Sequence, residues 1–105
     1  MTVSIRENAW IARISSLVLR QPKTAIVIGS NIYLWNADRE AFLGNEKWVR
    51  HEFVHVLQFR RHGFLRFCCL YIWEWMKKGY RNNKYEVEAR MLENDGYILH
   101  KVRFN

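Results

Sequence analysis

Proline, glycine and cysteine are all scarce in this chain. One proline and five glycines among 105 residues leave no low-complexity linker, and no segment repeats another. The only two cysteines, Cys68 and Cys69, are neighbours, and neighbouring cysteines rarely bridge each other, which excludes a disulfide scaffold. We interpret them as small buried apolar side chains. This usage suits a reducing compartment.

Long hydrophobic runs are also missing. The longest apolar run, Phe67–Trp73, is far short of the roughly 20 residues that span a bilayer. The partly apolar stretch from Ala9 to Leu19 is interrupted by Arg13 and preceded by Glu7, which does not fit a signal peptide. We therefore expect a soluble, cytoplasmic protein.

Acidic residues are few, with 10 against 17 lysines and arginines and a net charge of +7. Such an excess occurs in proteins that bind nucleic acid, anionic membranes or acidic proteins. The charge is scattered, with short clusters only at Arg60-Arg61 and Lys77-Lys78, and no nucleic-acid-binding motif is present. Nucleic acid is therefore not an expected partner. Trp73 and Trp75 beside the lysine pair could contact a membrane surface, but we favour packing between helices.

Hydrophobic residues make up half of the chain and aromatic residues 15%, enough for one modest core. Two β-rich segments, Thr24–Ile28 and Asn31–Trp35, flank Gly29-Ser30 and predict a tight hairpin. Residues 36–44 read as a polar connection. We predict helices over about 9–20, 46–61, 64–78 and 84–94, with a short strand or docked tail at 97–104.

Two of these helices have recognisable capping and packing patterns. Asn8 is placed to cap the first, whose apolar positions have helical spacing. Asn45 is placed to cap the second, which is apolar on most sides and is therefore expected to be central and buried. The apolar positions of the first helix are Trp10, Ile14, Leu17 and Val18.

The buried helix carries a His-Glu-x-x-His motif, His51–His55. Residues four apart share a helical face about 6 Å from each other, so two imidazoles can hold one zinc ion. Glu52 lies about 100° round the helix from His51, where its carboxylate can take a proton from water at the metal without binding the ion. A hydrogen-bonded pair of core histidines is the less favoured interpretation.

A third ligand is needed, because catalytic zinc sites have three protein ligands and an open position. His62 lies on the same stripe, but seven helical residues carry it about 10 Å beyond His55. The metzincin pattern fails, because Gln58 and Arg61 stand where it requires Gly and His. His100 cannot be placed by pattern.

Glu86 and Glu88, on the predicted helix 84–94, are the better candidates. Residues two apart on a helix point about 200° from each other, so only one of the two can face the ion. Helical geometry alone leaves the choice open, and a solvent-exposed carboxylate is the favoured interpretation of Glu88.

His51-Glu-x-x-His55 followed by Tyr85-Glu-x-Glu-Ala89 resembles the gluzincins, especially the minimal gluzincins and the catalytic core of the membrane-bound CAAX-prenyl-protease type. In that family the Glu of a later Glu-x-x-Ala-Asp segment is the third zinc ligand. The resemblance implies that Glu86 binds the metal and that Glu52 is the catalytic base. Arg90 replaces the family's Asp, which supports the site from outside the ligand shell. We expect Arg90 to orient the Glu86 carboxylate.

The sequence thus predicts one α+β domain over residues 1–105, zincin-like, with a short hairpin sheet and about four helices. The expected activity is Zn²⁺-dependent hydrolysis of a peptide or protein substrate. His51, His55 and Glu86 would hold the ion, and Glu52 would activate water. Residues 32–35 are the candidate edge strand for pairing with an extended substrate.

Several alternatives and supporting roles remain open at this point. The chain could be a metal-holding binding module without activity, or a basic protein of the membrane surface. Gln58 is placed to line the cleft. Tyr71, Tyr80 or Tyr85 could donate a hydrogen bond to a developing oxyanion.

Overall fold

The computed structural model describes residues 1–100 and 102–105, and within them it is an α+β structure, as predicted. It contains five helices and a four-stranded sheet. The elements are β1 Thr2–Arg6, α1 Trp10–Leu19, β2 Thr24–Ile28, β3 Asn31–Trp35, α2 Arg39–Leu43, α3 Glu46–His62, α4 Phe64–Asn82, α5 Lys84–Leu92 and β4 Arg103–Phe104.

The sheet has the strand order β2-β3-β1-β4. Strands β2 and β3 form the predicted antiparallel hairpin, in register from Thr24 opposite Trp35 to Ile28 opposite Asn31. Strand β1 runs parallel to both β3 and β4. The prediction that residues 32–35 form an edge strand is wrong, because β1 covers the far side of β3. The hairpin's free edge is β2.

The core lies between the sheet and α3. Val3, Ile32 and Leu34 from the strands meet apolar residues of α2 and α3, and all are buried. Helix α3 begins after Asn45, whose Oδ1 accepts a hydrogen bond from the Trp48 amide. It ends at Gly63, where φ is +85°. The buried position of the motif helix is therefore confirmed. The contributing residues of α2 and α3 are Phe42, Val49, Phe53, Val56 and Phe59.

Helix α1 forms where it was predicted but lacks the predicted cap. Asn8 has a positive φ of 52° and does not cap the helix, which starts after Ala9 without a side-chain cap. The small residues Ala12 and Ser16 face the protein and are buried. Because their side chains are small, the helix can approach β2 and β3 closely. The four apolar residues at helical spacing are consequently exposed to solvent.

The remaining helices show smaller differences. The predicted polar connection contains α2, which Asp38 caps by accepting a hydrogen bond from the Ala41 amide at 2.7 Å. Gly79 breaks α4 as predicted, with φ +77° and ψ +176°, but one more helical turn follows it.

Trp73 and Trp75 are exposed, so the prediction that they pack between helices is wrong. Among residues 1–100 and 102–105, no helix combines the length and the apolar character that crossing a membrane requires.

Candidate metal centre

Three side chains that could hold a metal ion converge between α3 and α5. Nε2 of His51 lies 3.1 Å from Glu86 Oε1, and Nε2 of His55 lies 3.2 Å from the same oxygen. One potential ligand atom from each of the three residues lies within 4.8 Å of the other two. Glu86 is only 3% exposed. The structure thus brings the three predicted ligands together.

Asn83 explains how α5 delivers Glu86 to the histidines. Its side chain is fully buried and caps α5 by accepting a hydrogen bond from the Tyr85 amide at 2.9 Å. Its Nδ2 donates to the Tyr71 carbonyl on α4 at 3.1 Å. This bridge fixes the start of α5 against α4, and Glu86 follows in its first turn.

Both imidazoles are oriented by acceptors on the side away from Glu86. Nδ1 of His51 contacts Glu93 Oε2 at 2.9 Å, and Nδ1 of His55 contacts Gln58 Oε1 at 2.8 Å. When an imidazole is neutral, acceptors at these positions favour the tautomer with the proton on Nδ1, which leaves the Nε2 lone pair available to a cation.

Gln58 lies behind His55, and the prediction that it lines the cleft is wrong. It is 0% exposed. Its Nε2 donates to the Tyr85 carbonyl at 3.0 Å and to Glu88 Oε1 at 2.7 Å. These two bonds fix the orientation of the amide, so its oxygen must point at His55.

Glu88 and Arg90 lie outside the group of potential ligands. The Glu88 carboxylate accepts hydrogen bonds from Gln58 and from Arg61, so it reaches His55 only through Gln58. Arg90 donates to the Arg81 carbonyl, and the prediction that it orients Glu86 is wrong. The carboxylate beside the centre is instead Glu93, which sequence reasoning missed as a site residue. Glu93 follows Glu86 by seven residues, or about two helical turns, which places both on the same face of the helix. This spacing was the sequence signal that could have identified Glu93.

Glu52 lies on α3 between the two motif histidines and is buried. Burial raises the pKa of its carboxyl, and the positive charges of His55 and His51 only partly offset this effect, which leaves a pKa of about 7. A carboxyl group that titrates near neutrality suits proton transfer in either direction.

The three potential ligands form a charged cluster. Burial tends to raise the pKa of Glu86, but the charge of His55 and hydrogen bonds from His51, His55 and Tyr71 hold it far below its usual range. Burial tends to lower the pKa of His55, but the Glu86 carboxylate, followed by Glu52 and Gln58, raises it to about 9. A protonated His55 must therefore lose its proton before Nε2 can bind a cation.

Two of the three tyrosines named from the sequence border this cluster. Tyr71 Oη donates to Glu86 Oε2 at 2.6 Å. Burial and the Glu86 charge raise the pKa values of Tyr71 and Tyr80, so both phenols remain proton donors at neutral pH. Tyr85 is buried in the core against Phe67.

Two depressions meet at the centre. An apolar cleft of about 410 Å³ lies between α1, β2 and α4, and a polar recess of about 310 Å³ lies on the other side. Glu52, Tyr80 and Ala25 border both of them. The recess also contains Lys23 and Lys47. The candidate metal centre therefore opens onto both an apolar and a polar surface.

The other two histidines take no part in the centre. His62 stacks on Phe67, with ring centroids 6.0 Å apart. His100 stacks on Tyr97, with centroids 4.8 Å apart. Both rings pack against aromatic side chains. For His62 this agrees with its exclusion as a metal ligand, which was based on its distance from His55.

A scan of protein-family models and searches of curated proteins and of solved structures found no match to this chain. The resemblance to gluzincins therefore depends on the two sequence motifs alone.

Proposed function

We propose that this protein is a zinc-dependent metallopeptidase of gluzincin type that cleaves peptide bonds in a peptide or protein substrate. The observation that carries the proposal is the convergence of His51, His55 and Glu86 at a point bordered by an apolar cleft. Two imidazole nitrogens and one carboxylate are a ligand set found in catalytic zinc sites, where the fourth position stays open. A structural zinc would need a fourth protein ligand.

The distances within the group fit a bound zinc ion, although the same separations are also those of hydrogen bonds between the histidines and Glu86. Zinc binds nitrogen and carboxylate oxygen at about 2.0–2.1 Å, so two ligand atoms of a tetrahedral site are separated by about 3.3 Å. The Nε2 to oxygen separations here are 3.1 and 3.2 Å. Side chains held behind both imidazoles further support a site shaped for an ion. The residues therefore fit the metal that the resemblance implies.

Zinc, when bound, would supply Lewis acidity for the scissile carbonyl and lower the pKa of water. Glu52 would accept the proton of the attacking water at its carboxylate. It would then pass that proton to the leaving amine. Its pKa of about 7 matches both steps, because the group exists in both protonation states near neutral pH.

Tyr80 is the better donor to the oxyanion that develops on the substrate. It borders both the cleft and the recess, whereas the Tyr71 hydroxyl donates to Glu86 at 2.6 Å. Donors placed at a developing negative charge often contribute more than any other single group. Tyr71 would instead hold the ligating carboxylate in position.

Strand β2 offers the substrate an open edge beside the centre. In a hairpin with a two-residue turn the residues flanking the turn form a hydrogen-bonded pair, and the pattern alternates along the strands. Ile28 and Ile26 therefore bond to β3, whereas the backbone groups of Ala25 and Val27 point outward. Both residues border the cleft. An extended peptide could pair there, with a large apolar side chain in the cleft.

The experiment is hydrolysis of a broad peptide library by the zinc-loaded chain, with and without a chelator. Glu52→Gln is the matched control, because the amide keeps the shape of the side chain but cannot act as a base. We expect cleavage that the chelator abolishes and that the variant reduces at least about 10²-fold. Zinc binding without any cleavage would favour the alternative of a metal-holding binding module. Equal cleavage by wild type and variant would refute the role of Glu52.

A further inference from the structure

Helices α1 and α4 share an exposed apolar face around the mouth of the cleft. Ile14 and Val18 from α1 and Ile72 and Trp75 from α4 line the cleft, yet each remains at least 42% exposed. Leu17 and Met76 extend this face outward and are 70% and 76% exposed. We call these six residues the apolar face. Such a concentration of large exposed side chains marks an interaction site.

The exposed charges on the two helices that carry the apolar face are all positive. Helix α1 contains no acidic residue, and the single acidic residue of α4 is Glu74. Glu74 is only 4% exposed, and Lys77 and Lys78 neutralise it at 3.3 and 3.4 Å. Arg13 on α1 and Arg20 at its C-cap are both exposed. The surface open to a partner therefore consists of apolar side chains with cationic side chains around them.

Trp73 and Lys77 on α4 show a second property of this surface. Lys77 lies over the ring of Trp73, with its nitrogen 5.6 Å from the ring centroid. Trp73 is 59% exposed. Amphipathic rings beside long cationic side chains are typical of the boundary between lipid headgroups and acyl chains.

We infer that the apolar face docks on an anionic membrane surface, which places the mouth of the cleft against the lipid headgroups. Charge complementarity decides between a membrane and a second copy of the chain. Two copies joined through this face would bring two cationic fringes together in chains that each carry +7. Anionic lipid instead attracts each nearby lysine or arginine. The helices would lie on the membrane, with the apolar side chains inserted below the headgroups.

The test is flotation of the full chain with vesicles of phosphatidylcholine alone and of phosphatidylcholine mixed with phosphatidylglycerol. We expect binding to the anionic vesicles that weakens with salt. The double variant L17E/M76E should bind at least about tenfold more weakly. Met91→Glu is the matched control, because Met91 is 77% exposed on α5, outside the apolar face. It should bind like wild type.

Two further measurements keep the inference falsifiable. The double variant must retain the circular dichroism spectrum of wild type, and H51A/H55A must still float with the vesicles, because docking does not require the metal. Equal flotation of wild type and L17E/M76E would overturn the inference. A concentration-dependent dimer that L17E/M76E abolishes, without vesicle binding by wild type, would assign the face to a second copy instead.

Discussion

Replacing Glu93 by Ala removes a carboxylate that touches a potential ligand but does not itself belong to the ligand group. Its Oε2 lies 2.9 Å from Nδ1 of His51, on the side of the ring away from Glu86. Without this acceptor, His51 can rotate and its proton can move to Nε2, the nitrogen that must bind the ion. We therefore expect Glu93→Ala to weaken zinc binding while leaving the fold intact.

The size of the effect follows from the burial of the contact. The side chains of His51 and Glu93 are 15% and 17% exposed, so solvent screens their hydrogen bond only in part. A hydrogen bond to a charged group contributes about 1.5–3 kcal/mol, and each 1.4 kcal/mol changes a binding constant about tenfold. We expect the dissociation constant for zinc to rise about 10- to 100-fold, the range usual for partners of metal ligands.

The assay is competition for zinc against a chromophoric chelator at fixed pH. Glu93→Gln is the informative companion variant, because its amide oxygen can still accept the Nδ1 proton. It should lose less affinity than Glu93→Ala. An unchanged zinc affinity in Glu93→Ala would refute the reasoning that this carboxylate orients His51.

Three further predictions concern other residues of the site. Glu86→Gln should weaken zinc binding at least about tenfold, whereas Glu88→Gln should change it little, because Glu88 reaches the site only through Gln58; the reverse order in the same chelator assay would overturn the assignment. Tyr80→Phe should lower kcat about 10²-fold or more with zinc affinity unchanged, and an unaltered kcat would exclude Tyr80 as the oxyanion donor. For the metal-free protein, the pKa of His55 is about 9 against an ordinary 6.5. Between these two pH values the folded state binds more protons than the unfolded state, so the free energy of unfolding falls as pH rises from about 6.5 to about 9. Zinc affinity should rise over the same range, because the metal competes with the proton; thermal unfolding and zinc titration at several pH values test both trends.

Local signals predicted the elements that depend on local sequence. The hairpin follows from β-rich segments on either side of Gly29-Ser30, and α3 follows from its Asn45 cap and its apolar circumference. The paired histidines were predicted from their spacing of four. Glu86 needed the resemblance to gluzincins as well, because helical spacing alone could not choose between it and Glu88.

The remaining features depend on contacts between distant segments. Strand β1 is short and pairs with β3 and β4, so only the tertiary fold makes β2 the edge. The orientation of α1 depends on how closely Ala12 and Ser16 approach the sheet, which the spacing of its apolar residues alone does not indicate. The roles of Gln58 and Glu93 became apparent only when α3 and α5 were placed side by side.

The most direct test of the central proposal is metal content and peptide hydrolysis measured on the same purified sample, for wild type and H51A/H55A. We predict about one zinc per wild-type chain, none held stoichiometrically by the double variant, and cleavage by wild type that follows its zinc content. Unchanged zinc uptake by H51A/H55A, or cleavage that persists after complete removal of zinc, would contradict the proposal.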